Sequence, residues 1–160
     1  MAPIRLRPMT TAEFNAFRGR LIREYAAERV STGDWAPEQA EDKAARLTDD
    51  RLPEGRSTPG MLLLSAEAPD GEPVGTVWVA LDQPLRGGAW IFDIQIDPKH
   101  RGKGYGRALL QAAEQESARQ GATAIGLNVF GANAVARHLY ESSGYQVTAT
   151  QMRKELGEPG

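Results

Sequence analysis

A glycine-rich turn between a predicted strand and a predicted helix constrains this chain more than any other feature. Residues 101–107 read Arg-Gly-Lys-Gly-Tyr-Gly-Arg, after the apolar run of residues 90–96 and before a helical pattern. Glycines let backbone N–H groups crowd around a ligand, and a helix N-terminus adds unpaired donors and partial positive charge. The basic side chains of Arg101, Lys103 and Arg107 add full positive charge. The turn therefore predicts a binding site for a phosphate or pyrophosphate group.

The spacing of the glycines excludes two common phosphate-binding motifs. A P-loop needs Ser or Thr after Gly-Lys to hold magnesium, and here Gly104 follows Lys103. A dinucleotide-binding fold needs Gly-x-Gly-x-x-Gly, usually after the first strand of a parallel sheet. This chain has Gly-x-Gly-x-Gly after several predicted strands. A strand-to-helix turn without a ligand is the plain structural alternative, and the flanking basic residues argue against it.

Hydrophobic patterning predicts a single α/β domain over residues 1–160. Strands are expected at residues 4–7, 61–68, 74–81, 89–97, 125–129 and 145–156, and helices at about 10–30, from 37, 105–121 and 132–143. The strands from 61 to 97 are close in sequence and joined by turns, which favours an antiparallel meander. The order strand, glycine turn, helix, strand makes the strands near 94 and 127 parallel. The expected fold is a mixed, mostly antiparallel sheet with a parallel central strand pair and flanking helices.

Composition narrows the class of function. The chain of 160 residues has a formal net charge of −2, which argues against a nucleic-acid-binding protein. It contains no cysteine, which excludes disulfides, thiolate metal ligands and a cysteine-bound intermediate. No His, Asp or Glu cluster has metal-ligand spacing, so no metal is expected. The sequence shows neither a signal peptide nor an apolar run long enough to span a membrane, so we expect a cytoplasmic protein with no membrane partner.

Two motifs resemble those of a known family. The pattern Arg101-x-x-Gly104-x-Gly106 is similar to the acetyl-CoA motif of the GCN5-related N-acetyltransferase (GNAT) superfamily. A second block resembles the downstream motif of the same superfamily: Leu127-Asn128-Val129, Asn133, Ala136, Leu139-Tyr140 and Gly144-Tyr145. The resemblance is close over residues 89–153. It implies a GNAT-like fold and an enzyme that transfers acetyl from acetyl-CoA to a primary amine by direct attack in a ternary complex. It also implies that a homodimer is one expected assembly.

The resemblance assigns residues to the acetyl-CoA site. The pantetheine arm would bind the main chain of the strand at 89–97, along Ile94, Gln95 and Ile96, and the pyrophosphate would meet the amides of residues 102–106. The predicted cofactor-binding residues are Ile94, Gln95, Ile96, Arg101, Gly102, Lys103, Gly104, Tyr105, Gly106, Arg107 and Asn133. For Asn133, two roles stay open at this point: a hydrogen bond to pantetheine, or a helix cap.

Catalytic roles follow less directly. Tyr140 matches the general acid of the family, which protonates the departing CoA thiolate; a core tyrosine is the alternative. Asp93 and Glu28 are candidates for the general base, with Glu24 beside them, although most helix carboxylates are simply solvated. Four aromatic residues could line an acceptor pocket or belong to the core: Trp35, Trp78, Trp90 and Phe92. The amine acceptor is unidentified by sequence. The alternative function is a non-catalytic domain that binds or senses acyl-CoA.

Overall fold

The computed structural model describes residues 3–159, so Met1, Ala2 and Gly160 of the predicted domain lie outside the described residues. The chain divides into two units, residues 1–128 and 129–160. The first unit contains β1 (Arg5–Pro8), α1 (Thr11–Ser31), α2 (Pro37–Arg51), β2 (Met61–Glu67), β3 (Pro73–Leu81), β4 (Ala89–Ile96), α3 (Tyr105–Arg119) and β5 (Ile125–Leu127). The second unit contains α4 (Ala134–Ser142).

The five strands form one mixed sheet in the order β1-β2-β3-β4-β5. Each pair from β1 to β4 is antiparallel, and β4 and β5 are parallel with Ala89 opposite Ile125 and Ile91 opposite Leu127. This arrangement confirms the predicted fold class, including the parallel pair at the end of the crossover through α3.

Helix α1, which the sequence predicts from about residue 10, begins at a capping box formed by Thr10 and Glu13. The Thr10 hydroxyl accepts from the Glu13 backbone N–H at 3.1 Å, and the Glu13 carboxylate accepts from the Thr10 N–H at 2.9 Å. The same carboxylate accepts from the Arg7 guanidinium of β1 at 2.7 Å. The hydrogen bond from Arg7 is the largest cause that lowers the pKa of Glu13 to about 2. The start of α1 is therefore fixed to the edge strand of the sheet.

Two apolar clusters hold the first unit together. One joins α1 to the sheet and contains Met9, Phe14, Phe17, Leu52, Leu63 and Trp78. The other joins α1 to α2 and contains Ile22, Ala26, Ala40 and Ala44. Helix α3 packs on β3 and β4 with Leu109 and Leu110 fully buried. Because Trp78 is 2% exposed in the α1 cluster, the core interpretation holds for this aromatic residue.

A β-bulge in β4 changes which side chains face α1. Trp78 pairs with Asp93 but the next residue of β3, Val79, pairs with Ile91, so Phe92 is the extra residue. The Phe92 ring lies 4.7 Å from the Trp78 ring, and the Asp93 carboxylate contacts Arg20 of α1. Two consecutive residues, Phe92 and Asp93, therefore face the same side of the sheet, which simple alternation forbids.

The second unit differs from the prediction at its end. No strand is assigned within the described residues 129–159, so the strand expected at 145–156 is wrong, and β5 ends at Leu127 rather than at 129. A strand needs a ladder partner and a buried face. Val147, Met152 and Leu156 of this segment are 68%, 88% and 89% exposed.

Within residues 3–159, none of the helices combines the length and the apolar character that crossing a bilayer demands.

Candidate functional site

The glycine turn leads from β4 into the exposed N-terminus of α3. Gly102 and Gly104 have φ values of +76° and +83°, the left-handed region that favours glycine. Gly104 is the N-cap of α3 and provides no side-chain hydrogen bond to the first turn. A Cβ added at Gly102 would meet no atom within 4 Å, so the space beside the turn is open. This geometry suits an anionic ligand that accepts hydrogen bonds from backbone N–H groups.

The turn is anchored to its surroundings by the residues before the glycines. A 3-10 turn, Pro98–His100, follows β4, and the Lys99 ammonium lies 3.2 Å from the Glu72 carboxylate of the β2–β3 loop. The Arg101 Nε donates to the carbonyl of Ile96 at 3.0 Å. His100 is 8% exposed and faces the Tyr105 ring, with its Nε2 lacking a well-aligned hydrogen-bond partner. These contacts hold the turn in place, so the backbone donors are pre-organised.

The edge of β4 that faces away from β3 carries the main-chain groups predicted to bind pantetheine. The N–H of Asp97 donates to the carbonyl of Val74 at 2.8 Å, so residues 97, 95 and 93 point their backbone groups toward β3. Ile94 and Ile96 therefore point theirs toward the opposite edge. The parallel ladder with β5 ends at Ile91. The main chain of Ile94 and Ile96 thus has the orientation that an added extended ligand needs.

A charged network joins α1 to β4 on the side of the sheet that Phe92 and Asp93 face. The Arg20 guanidinium donates to Asp93 at 2.9 Å and to Glu24 at 2.9 Å, and the Gln95 side chain approaches Glu24 at 3.4 Å. The side chains of Arg20 and Asp93 are 24% and 17% exposed. Burial raises the pKa of Asp93, while the charge and hydrogen bond of Arg20 lower it. Asp93 is therefore a partnered carboxylate, not an isolated one.

Arg20 is a member of this network that was not among the predicted site residues. Its signal was its position: Phe17, Arg20, Glu24 and Glu28 recur at intervals of three or four residues on one stripe of α1. A partly buried arginine is stabilised by a carboxylate partner. For Arg20 that partner is Asp93, 73 positions away in the chain. Only the fold brings the two together.

Glu28 lies two turns of α1 beyond Arg20. Glu28 is exposed, and desolvation by the protein around its carboxylate is the largest cause that raises its pKa, followed by the negative charges of Glu24 and Asp93. Among the described residues, no hydrogen bond or ion pair engages the carboxylate of Glu28. A carboxylate with a raised pKa accepts a proton more readily at neutral pH.

The second unit holds the remaining two predicted residues. Asn133 is the N-cap of α4, and its side-chain oxygen accepts from the Ala136 N–H at 3.2 Å. Tyr140 lies on α4 with its ring 5.8 Å from that of Tyr145. Asn133 therefore caps the helix, which was one of the two roles the sequence left open, and its amide nitrogen is not part of that cap.

Among residues 3–159, no three His, Cys, Asp or Glu side chains are grouped so that they could hold a metal ion.

Similarity to known proteins identifies the family to which this chain belongs. The sequence model of the acetyltransferase (GNAT) family matches residues 22–145. The chain therefore belongs to the GNAT family of acetyltransferases and is an enzyme of that class. It is similar to the uncharacterized N-acetyltransferase YycN of Bacillus subtilis (strain 168), with 36% identity over 96% of this chain and 99% of YycN. A mycothiol acetyltransferase of Propionibacterium freudenreichii subsp. shermanii is 36% identical over 77% of this chain and 39% of its own length.

Solved structures agree with this assignment. The crystal structure of Bacillus subtilis YycN superimposes with a TM-score of 0.90 at 35% identity. The match covers 98% of this chain and 100% of the YycN chain. The PaiA N-acetyltransferase of Thermoplasma acidophilum, in complex with coenzyme A, gives a TM-score of 0.65 at 19% identity over 93% of each chain. The second likeness shows a shared fold.

Proposed function

We propose that this protein is an acetyl-CoA-dependent N-acetyltransferase that acts on a primary amine in a ternary complex. The observation that carries the proposal is the continuity of β4 with the glycine turn. The edge of β4 at Ile94 and Ile96 has no strand paired with it among the described residues, although the Ile96 carbonyl accepts from the Arg101 side chain. It leads directly to the N-terminus of α3 at Gly104, which has no side-chain cap. Acetyl-CoA has an extended pantetheine arm that ends in a pyrophosphate, so its shape and charge match a strand edge followed by a helix N-terminus. The similar fold of PaiA, which holds coenzyme A, supports the same ligand.

The donor would bind through main-chain groups, with basic side chains around its phosphates. The backbone amides of residues 102–106 would receive the pyrophosphate, together with the side chains of Arg101, Lys103 and Arg107. The side-chain nitrogen of Asn133 would donate to a pantetheine carbonyl. Neutralising a doubly charged pyrophosphate needs several donors at once, which the turn and the helix N-terminus supply.

The reaction needs a base for the incoming amine and an acid for the departing thiolate. We assign the base to Glu28, because its pKa is raised and Arg20 already engages Asp93. The neutral amine nitrogen attacks the thioester carbonyl carbon, and the carbon–sulfur bond breaks. Tyr140 donates its phenolic proton to the CoA sulfur, while Glu28 takes the proton lost by the amine. The products are the acetylated amine and free CoA.

Binding of acetyl-CoA by calorimetry tests the donor site. Gly104→Ala is expected to raise the Kd for acetyl-CoA about tenfold, since a Cβ at φ +83° strains the turn and displaces charge-assisted hydrogen bonds. Gly121→Ala is the matched control, because Gly121 has φ +97° at the opposite end of α3. It should change the Kd by less than about twofold at a similar cost in stability.

A second ligand makes this test specific for the pyrophosphate. S-Acetylpantetheine lacks that group, so its weaker binding should be the same in the wild type and in Gly104→Ala. An equal loss of affinity for both ligands would contradict the location of the pyrophosphate at this turn.

A further inference from the structure

The guanidinium of Arg51, the last residue of α2, lies over the ring of Phe92. The guanidinium carbon lies 4.7 Å from the ring centroid. Arg18 and Arg20 of α1 pair with carboxylates at 2.8 and 2.9 Å, whereas among the described residues no carboxylate or hydrogen-bond acceptor engages Arg51. A cation–π contact uses none of the guanidinium N–H donors in a hydrogen bond to an acceptor, so these donors remain available for a carboxylate. Arg51 is therefore an exposed cation, held in place by the Phe92 ring, whose guanidinium N–H groups donate to no acceptor among the described residues.

The bulge in β4 places this cation beside the charged network. Phe92 and Asp93 are consecutive, with Cα atoms about 3.8 Å apart, and both side chains face α1. Helix α3 covers the opposite face, where Leu109 and Leu110 are fully buried. An amine that reaches the edge of β4 from the α1 side thus meets carboxylates at Asp93 and Glu28 and a guanidinium over Phe92.

We propose that Arg51 is a specificity-determining residue that binds an anionic group of the acceptor. The acceptor class is then a primary amine that also carries a carboxylate a few bonds from its nitrogen. This inference rests on the proposed acetyltransferase function. Acidic residues alone would favour a diamine, because they attract a second ammonium group. Arg51 reverses that preference, since it repels a second cation and pairs bidentately with a carboxylate.

Initial rates with a matched panel of amines test the proposal. The panel comprises ω-amino carboxylates of two to six carbons, the n-alkylamines of the same lengths and the corresponding diamines, each with acetyl-CoA. The wild type should show the highest kcat/KM with one of the amino carboxylates. Arg51→Met should lower that value about tenfold to a hundredfold and leave the alkylamine values within about twofold, since a charge-assisted pair is lost. Arg51→Lys should recover only part of the loss, because it keeps the charge without the fork.

Arg46→Met is the matched control, because Arg46 is an exposed arginine on the same helix. It should leave the preference among the three series unchanged, and melting temperatures should confirm that all variants are folded. A preference for alkylamines or diamines, or an equal effect of Arg51→Met on all three series, would overturn the inference while leaving the acetyltransferase function intact. Absence of CoA release with every amine contradicts this inference too, and absence of acetyl-CoA binding identifies the proposed function as the part that fails.

Discussion

Tyr140→Phe is expected to lower kcat by about a hundredfold to ten-thousandfold while the Kd for acetyl-CoA stays within about twofold of the wild type. The substitution removes one hydroxyl from α4 and keeps the ring beside Tyr145. Without the phenolic proton, the CoA sulfur must leave as a bare thiolate or take a proton from water. Binding of the donor does not depend on that proton, so the loss should appear in turnover alone. Steady-state kinetics and calorimetry on the same preparation measure both quantities.

Tyr145→Phe provides the matched control for this variant. The two rings are neighbours, 5.8 Å apart, and both phenols are lost by the same single-atom change. Tyr145→Phe should keep kcat within about threefold of the wild type, since the reaction assigns no proton to Tyr145. Equal activity of Tyr140→Phe and the wild type would remove the general acid from the mechanism.

Arg20→Met is expected to reduce the free energy of unfolding by about 3 kcal/mol, because it leaves the Asp93 carboxylate buried without its partner. For a chain of this size that corresponds to a fall in Tm of roughly 6 to 12 °C. The double variant Arg20→Met with Asp93→Asn should recover most of the loss, since the unpaired charge is then absent. Thermal unfolding of the single and double variants measures the coupling.

The pH dependence of this effect has a definite sign. Burial raises the pKa of Asp93 and Arg20 lowers it, so removal of Arg20 raises the folded-state pKa further. A carboxyl with a raised folded-state pKa stabilises the fold when protonated and loses that contribution as the pH rises through the pKa. The deficit of Arg20→Met should therefore be smaller at pH 5 than at pH 8.

The exposed pair of Arg18 with Asp49 is the control for the buried pair. Its side chains are 36% and 56% exposed, and Arg18→Met should cost less than about 1 kcal/mol at either pH. A deficit for Arg20→Met that is as small as this, or that does not change with pH, would show that the network around Asp93 carries no buried charge.

Much of the fold was predictable because local chemistry specifies it. The capping box of Thr10 and Glu13 determines the start of α1, and Pro37 at the first turn determines that of α2. The glycine turn predicted both the end of β4 and the start of α3 at Tyr105. Each of these signals lies within a few residues of the element it starts or ends, so no knowledge of tertiary contacts was needed.

The bulge and the charged network were not predictable from local pattern. Simple alternation along β4 places Phe92 and Asp93 on opposite faces, and one extra residue in the ladder with β3 brings them together. The partner of Asp93 lies on α1, far away in sequence. The strand predicted at residues 145–156 is not assigned among the described residues, and a local sequence pattern cannot specify the ladder partner that a strand needs.

Amine-dependent release of free CoA is the decisive measurement for the proposed acetyltransferase function. Purified protein with acetyl-CoA and the amine panel should release CoA and form N-acetylated amine in equal amounts, and no CoA should be released beyond background when the amine is omitted. Initial rates with both substrates varied should give intersecting lines, as a ternary complex requires. Tight binding of acetyl-CoA without amine-dependent release for any member of the panel would contradict the transfer reaction and identify a domain that binds the donor without using it.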